Sequence, residues 1–252
     1  MSQLKPSQVT DADTVDSHEK NLYKIGAVAA LIAVLVMLSE ILITFLPGGG
    51  ARGEATETVL DWFALFQNNP LMGLRNLGLI NMIATLLSIP MFFALYTAHR
   101  KSDQVYAALA LIIFLIGATV YLANNRAFPM LSLSGKYADA TTDVQRSLYV
   151  AAGEAMLAQA ESHTPGTFVG FLFSETSSIA ISIVMLRSRL FSKTTAYAGI
   201  VGFGLLFIFE ILASFVPTWF SVAMIFAVTG GLASITWYGL IARGLFKLHH
   251  IP

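Results

Sequence analysis

Long apolar runs recur six times along this chain, at residues of about 22–46, 74–98, 105–127, 166–186, 196–216 and 219–242. Each is close to the roughly 20 residues a helix needs to cross the hydrocarbon of a bilayer. Polar punctuation separates them. Pro47-Gly48-Gly49-Gly50 closes the first run and Pro217 closes the fifth, and neither can continue a helix. Pro90 lies inside the second run and predicts a kink, tolerated because neighbouring groups satisfy the freed carbonyl. The pattern predicts an all-α polytopic membrane protein with six transmembrane helices.

Two connections are long enough for elements of their own. In residues 51–70, Val59, Trp62, Phe63 and Phe66 fall on one helical face, while Glu54, Glu57 and Asp61 fall towards the other. This is the signature of an amphipathic helix lying on a membrane surface, with Trp62 suited to the interface. Residues 142–162 form a second candidate. Thr142 and Gln145 have capping-box spacing, and Val144, Leu148, Ala151, Ala152 and Ala155 make a weak apolar stripe.

Composition agrees with the pattern. Of 252 residues, 56% are hydrophobic and 12% charged, and the mean hydropathy is +0.69. A soluble domain carries roughly twice that charged fraction. Fifteen basic and fifteen acidic residues cancel, so there is no nucleic-acid footprint. Cysteine is absent, which removes disulfides, thiolate metal sites and cysteine nucleophiles. The basic residues set the orientation. Lys5, Lys20, Lys24, Arg100, Lys101, Arg187, Arg189, Lys193, Arg243 and Lys247 lie at one end, and Arg52, Arg75, Arg126, Lys136 and Arg146 at the other. Ten against five predicts both termini inside and the two amphipathic helices outside. Residues 1–20 are polar and acidic (Asp11, Asp13, Asp16, Glu19) and read as a mobile tail rather than a cleavable signal. The expected organisation is that tail, a six-helix domain over 21–246 and a C-terminal tail over 247–252. The expected location is a bacterial or archaeal cytoplasmic membrane.

Three glutamates interrupt the apolar runs: Glu40, Glu175 and Glu210. A charge at the centre of a membrane helix costs about 2.5–3.5 kcal/mol on insertion scales, so each calls for a reason. At about 1.5 Å per residue, Glu40 lies about 9 Å, Glu210 about 10 Å and Glu175 about 14 Å below the outer ends of their runs. Asn81 has a similar depth, and Asn124-Asn125-Arg126 closes the third run at the outer boundary. The inner halves hold almost no hydrogen-bonding side chains beyond tyrosine hydroxyls. A pore open from side to side needs polar lining at both depths. The pattern therefore predicts an outward-facing pocket lined by Glu40, Asn81, Asn125, Glu175 and Glu210, with Arg75 and Arg126 at its mouth. Such carboxyls suit a cation, a proton or a basic ligand. The blander alternative is protonated acids hydrogen-bonding between helices. For Arg75 and Arg126 the alternatives are pairing with Glu40 or Glu210, binding an anionic group, or snorkelling to the boundary.

Other signals are weaker. His163 reads as an ordinary surface histidine, with a ligand or general base as the alternative. His99, beside Arg100-Lys101, reads as part of the inner boundary. Ala223, Ala227 and Gly231, and Ala198 with Gly202, make small-xxx-small faces for close helix approach. There is no HExxH motif, phosphate loop, dinucleotide fingerprint or serine elbow, so no constellation argues for an enzyme.

Two stretches carry a family resemblance. One is Asn69-Pro70 followed by Arg75 and a long apolar span ending in Leu95-Tyr96. The other starts at Gly166-Thr167-Phe168-Val169-Gly170-Phe171-Leu172-Phe173. It continues through Arg187-Ser188-Arg189-Leu190-Phe191-Ser192-Lys193 to Ala198-Gly199-Ile200. Over residues of about 20–245 the chain resembles a bacterial and archaeal family of small integral membrane proteins catalogued only as a domain of unknown function. The resemblance implies the six-helix fold and carries over no catalytic residue. The expected function is binding of a lipid or small amphiphile in the outer pocket. The alternatives are a proton- or cation-coupled transporter and a regulatory protein docking a partner through its outer helices.

Overall fold

The computed structural model describes residues 6–45, 58–161 and 163–250. The expected break at Pro47–Gly50 and the acidic positions Glu54 and Glu57 lie outside the described residues, as do the side chains of Asp11, Asp13 and Asp16. The elements are α1 (Pro6–Phe45), α2 (Val59–Asn68), α3 (Pro70–Asn76), α4 (Leu79–Asn124), α5 (Ala127–Ala138), α6 (Asp143–Ala160), α7 (Phe168–Ser188), α8 (Lys193–Phe215) and α9 (Phe220–His249). A 3-10 turn at Pro217–Trp219 joins the last two.

Among the described residues, five helical stretches are long and apolar enough to cross a membrane: Ser17–Ile43, Leu79–Ala138, Phe168–Ser188, Lys193–Phe215 and Pro217–His249. The second is 60 residues long and contains all of α4. The 46 residues of α4 would span about 70 Å if straight, more than twice the hydrocarbon thickness. Asp103 breaks it, with φ −152° and ψ 65°, into two arms over 79–102 and 104–124. Phe92 on one arm stacks on Phe114 of the other at 4.0 Å, so the arms fold back on each other. The break at Asp103 falls between the second and third apolar runs, where the sequence separates them, and Pro90 lies inside the first arm.

The long helices close into a ring. α1 packs on α4, α4 on α7, α7 on α8, α8 on α9, and α9 returns to α1. Small residues make each seam. A Cβ on Gly26 of α1 would lie 2.5 Å from Ala94 Cβ and 3.3 Å from the Pro90 carbonyl. One on Gly117 would lie 2.7 Å from Phe173 Cβ, and one on Gly170 would lie 3.0 Å from Tyr121 Cβ. Between α8 and α9, Gly202 would press on Ser234 N and Gly230 on Gly202 O, each at 2.9 Å. Of the predicted face Ala223 is fully buried, but the seam uses Gly230 in place of Gly231, where a Cβ would meet nothing within 4 Å.

One end of the ring has a dry core built around Trp237, Met91, Phe92, Leu95, Ile241 and Leu245. Its few hydroxyls bond back into their own helices, as Ser182 does to the Ser178 carbonyl at 2.7 Å and Ser234 to the Gly231 carbonyl at 2.8 Å. Ser88 and Tyr238 bond across α4 and α9 at 2.8 Å. His99, read from sequence as a boundary residue, is buried here. Its Nδ1 faces the Leu95 carbonyl at 2.8 Å, and its ring stacks on Phe191.

The other end carries a helical cap with its own core of Val59, Trp62, Phe63, Phe66, Met130 and Leu133. The apolar face of α2 is the predicted one, and Thr58 and Asp61 form its capping box. Trp62, however, is only 4% exposed and packs inside the cap rather than at an interface. α6 also starts as predicted, with Thr142 accepting from Gln145 N at 3.2 Å. The return arm of Gln145 takes the N–H of Thr141 instead, at 3.1 Å. Its packed face differs from the predicted stripe: Tyr149, Val150, Met156 and Leu157 turn inward, whereas Val144 and Leu148 are exposed. Two elements were unforeseen. α3 occupies what reads as the start of the second run, because Gly78 at φ 92° ends one helix and opens the next. α5 fills the connection after Asn124, with Pro129 in its first turn, where proline is tolerated. α1 begins at Pro6 rather than near residue 22.

The close approach at Gly26 yields a stability test. Gly26→Leu forces its side chain into Ala94 and Leu245 and should cost about 1–3 kcal/mol. A lowered thermal midpoint of the detergent-solubilised protein, with Gly231→Leu unaffected, is the expected result.

Candidate functional site

The cap and the ring meet at two polar clusters. The first joins α1 to α3. Arg75 donates from Nε to Glu40 Oε2 at 3.0 Å and from Nη2 to Oε1 at 2.9 Å, a two-bond clamp. The same guanidinium reaches Asn76 Oδ1 at 3.2 Å and Met72 Sδ at 3.5 Å. The Arg75 side chain is 8% exposed and that of Glu40 is 36% exposed. The first glutamate is therefore paired, and Arg75 is its partner. α1 neighbours α4 and α9 in the ring, so Glu40 lies away from the α7–α8 pair that carries the other two.

Those two converge. Glu175 is 5% exposed and Glu210 2% exposed, and their carboxyls lie near enough to interact electrostatically. Above them is His163, in the turn before α7, held in a left-handed conformation at φ 62°. Its Nδ1 meets Glu210 Oε1 at 2.6 Å. Its ring stacks on Phe171 at 5.1 Å and meets Phe209 edge-on at 4.7 Å. Helical spacing orders the rest: Phe171 and Glu175 share a face of α7 one turn apart, as do Glu210 and Ser214 on α8. Glu175 thus lies one turn deeper than the His163–Phe171 stack.

Three oxygens in this cluster are buried without a hydrogen-bond partner among the described residues: Glu175 Oε2, Glu210 Oε2 and Ser214 Oγ. Buried polar atoms are overwhelmingly paired, and an unpaired one costs about 1–3 kcal/mol, more when charged. Surrounding hydroxyls do not help. Ser174, Ser177 and Ser178 donate to carbonyls of their own helix, at 3.0, 2.8 and 2.8 Å. The cluster is rich in acceptors and poor in donors.

The amides have mainly structural bonds. Asn125 donates from Nδ2 to the Leu77 carbonyl at 2.9 Å and accepts from Ala127 N at 3.0 Å, tying the end of α4 to α3 and α5. Asn81 and Asn125 both approach the Tyr121 phenol, which lies near enough to Glu210 to sense its charge. Arg126 spans from the Ala123 carbonyl at 2.6 Å to Gln159 Oε1 at 3.0 Å and pins the end of α6. Of the expected set, Glu175 and Glu210 come together with Asn81 and Asn125 at their edge, while Glu40, Arg75 and Arg126 serve other contacts. His163, Ser214 and Tyr121 join without having been foreseen. A histidine beside the fourth run was the visible signal, but its pairing with a glutamate 47 residues away was not. Among the described residues, no group of three or more histidine, aspartate or glutamate side chains is placed to hold a metal ion.

Residues 21–244 match the family described as Domain of unknown function (DUF4386). The chain belongs to that family. No curated protein and no solved structure matches it. The match covers almost the whole chain and leaves the carboxyl pair to be interpreted from its own geometry.

The Glu40–Arg75 clamp gives a direct test. Arg75→Gln should lower the thermal midpoint more than the double variant Glu40→Gln/Arg75→Gln does, with a coupling energy of about 0.5–3 kcal/mol in a double-mutant cycle. Additive losses would make the clamp energetically idle.

Proposed function

We propose that this is a membrane-embedded binding protein whose ligand is a small amphiphile with a protonated amine headgroup. The carrying observation is the set of buried oxygens at Glu175 Oε2, Glu210 Oε2 and Ser214 Oγ, which lack hydrogen-bond partners among the described residues, two of them carboxyl acceptors. An ammonium brings several N–H donors and a positive charge, and so answers both the missing hydrogen bonds and the repulsion between two carboxylates. The rings of Phe171 and Phe209 beside His163 suit a cation and an apolar tail alike. His163 is the group such a ligand would displace or share Glu210 with on entering from the cap side. In this reading the chain crosses a bacterial or archaeal cytoplasmic membrane as six spans, the two arms of α4 counting separately, with both termini inside. The excess of basic residues at the dry end supports that orientation.

A second reading is a proton- or cation-coupled transporter. It is favoured by the graded depth of His163, Glu210 and Glu175. The partner-docking reading loses support because Trp62 faces into the cap.

Dodecylamine binding to the protein in nanodiscs tests the first reading. Saturable binding that weakens at least tenfold in Glu175→Gln, with dodecanol bound equally poorly by both, is the expected outcome. Equal dodecylamine affinity in the wild type and Glu175→Gln overturns the proposal, and a proton current in liposomes abolished by the same change favours the second reading. The orientation is checked on the naturally cysteine-free chain. A membrane-impermeant maleimide applied to whole cells should label Gly135→Cys and spare Ser102→Cys.

A further inference from the structure

Far from the carboxyl pair, at the basic end of the ring, an open groove of about 630 Å³ runs along α9 beside Leu31 of α1. Its wall is apolar, formed by Leu31, Gly239, Ala242 and Phe246. A Cβ added to Gly239 would meet nothing within 4 Å, so the floor is open. The rim is Arg243, Lys247 and His250, all exposed. Their spacing of four and three residues puts them on one face of the last two turns of α9. Among the described residues, neither Arg243 nor Lys247 pairs with a carboxylate, whereas Arg100 pairs with Glu19 and Arg187 with Asp103. His250 is fixed beside them, with Nδ1 donating to the Phe246 carbonyl at 2.7 Å.

Depth decides what such a groove meets. α9 has 30 residues, about 45 Å, against about 30 Å of hydrocarbon. Counted from Phe220, the hydrocarbon ends about 20 residues along, near Gly239. The apolar floor therefore lies at the level where acyl chains begin, and the three basic side chains lie at headgroup level. A single molecule with an acyl tail and an anionic head spans both.

We propose that the α1–α9 groove is a binding site for an anionic phospholipid, its phosphate held by Arg243, Lys247 and His250 and its acyl chain laid over Gly239 and Leu31. Charge complementarity selects the class: a zwitterionic lipid has no net charge to set against a rim of unpaired cations, whereas each such cation near an anionic surface contributes about 1 kcal/mol. The inference is independent of the carboxyl site, which lies at the opposite end and has the opposite charge.

The test uses the full-length protein in phosphatidylcholine vesicles with spin-labelled phosphatidylglycerol or spin-labelled phosphatidylcholine as probe. The motionally restricted fraction should show a preference of roughly fivefold or more for phosphatidylglycerol. Arg243→Gln/Lys247→Gln should abolish that preference, while Lys101→Gln/Lys193→Gln, exposed cations outside the groove, should keep it. Gly239→Trp fills the floor without touching a charge and should also remove the preference. Equal association of the two lipids with the wild-type protein overturns the proposal, as does a preference that survives the Arg243/Lys247 change. A preference retained in Gly239→Trp assigns the effect to surface charge alone and overturns the groove. Displacement of the labelled lipid by millimolar inorganic phosphate would make the occupant a soluble anion and overturn it likewise.

Discussion

Close backbone contact between helices is what the rest of this structure depends on. Inside a bilayer, apolar side chains gain little by leaving lipid for one another, so helices are held by tight packing and by the few polar bonds between them. Here Gly26 against Ala94, Gly117 and Gly170 across α4 and α7, and Gly202 and Gly230 across α8 and α9 bring main chains within a methyl group's width. These seams fix helix rotation. Rotation in turn decides which polar side chains face the ring. The α4–α7 seam brings Tyr121 to Gly170, one turn from Ser174 and Glu175. The α7–α8 contact sets Glu210 beside them.

The two ends of the ring then have opposite chemistry. At the cap end, Glu175 and Glu210 are buried near enough to interact electrostatically, and His163 pairs with Glu210. At the other end the core is dry, and the charges stand outside it on helix extensions. Some are paired, as in Glu19–Arg100 and Asp103–Arg187; others, on the last turns of α9, overhang an apolar groove. An acceptor-rich interior calls for a cation and a cationic rim calls for an anion. One chain can hold both because they lie at opposite ends of the ring.

The cap shows why local pattern is a partial guide. The apolar face of α2 was legible, since Val59, Trp62, Phe63 and Phe66 leave little choice. Its destination was not, because an amphipathic face fits a membrane surface and a protein core equally well. α6 has small apolar residues on both sides. Only the arrival of Val59 and Phe63 against Gly153 decides that the Val150–Leu157 side is buried and the Val144–Leu148 side exposed. α3 and α5 were hidden for another reason. Helices of 7 and 12 residues, joined through a left-handed Gly78 and a proline in a first turn, leave no long period to read.

The sequence by itself determined the apolar runs, their order and the helical class. Hydrocarbon leaves the backbone no other way to satisfy its hydrogen bonds. Tertiary structure alone decided the azimuth of each helix. It separated Glu40, clamped by Arg75, from Glu175 and Glu210. It also turned His163 from a surface residue into the partner of Glu210, and opened the groove between α1 and α9. A side chain's direction around its helix costs nothing until a neighbouring helix arrives, and only the packed ring supplies those neighbours.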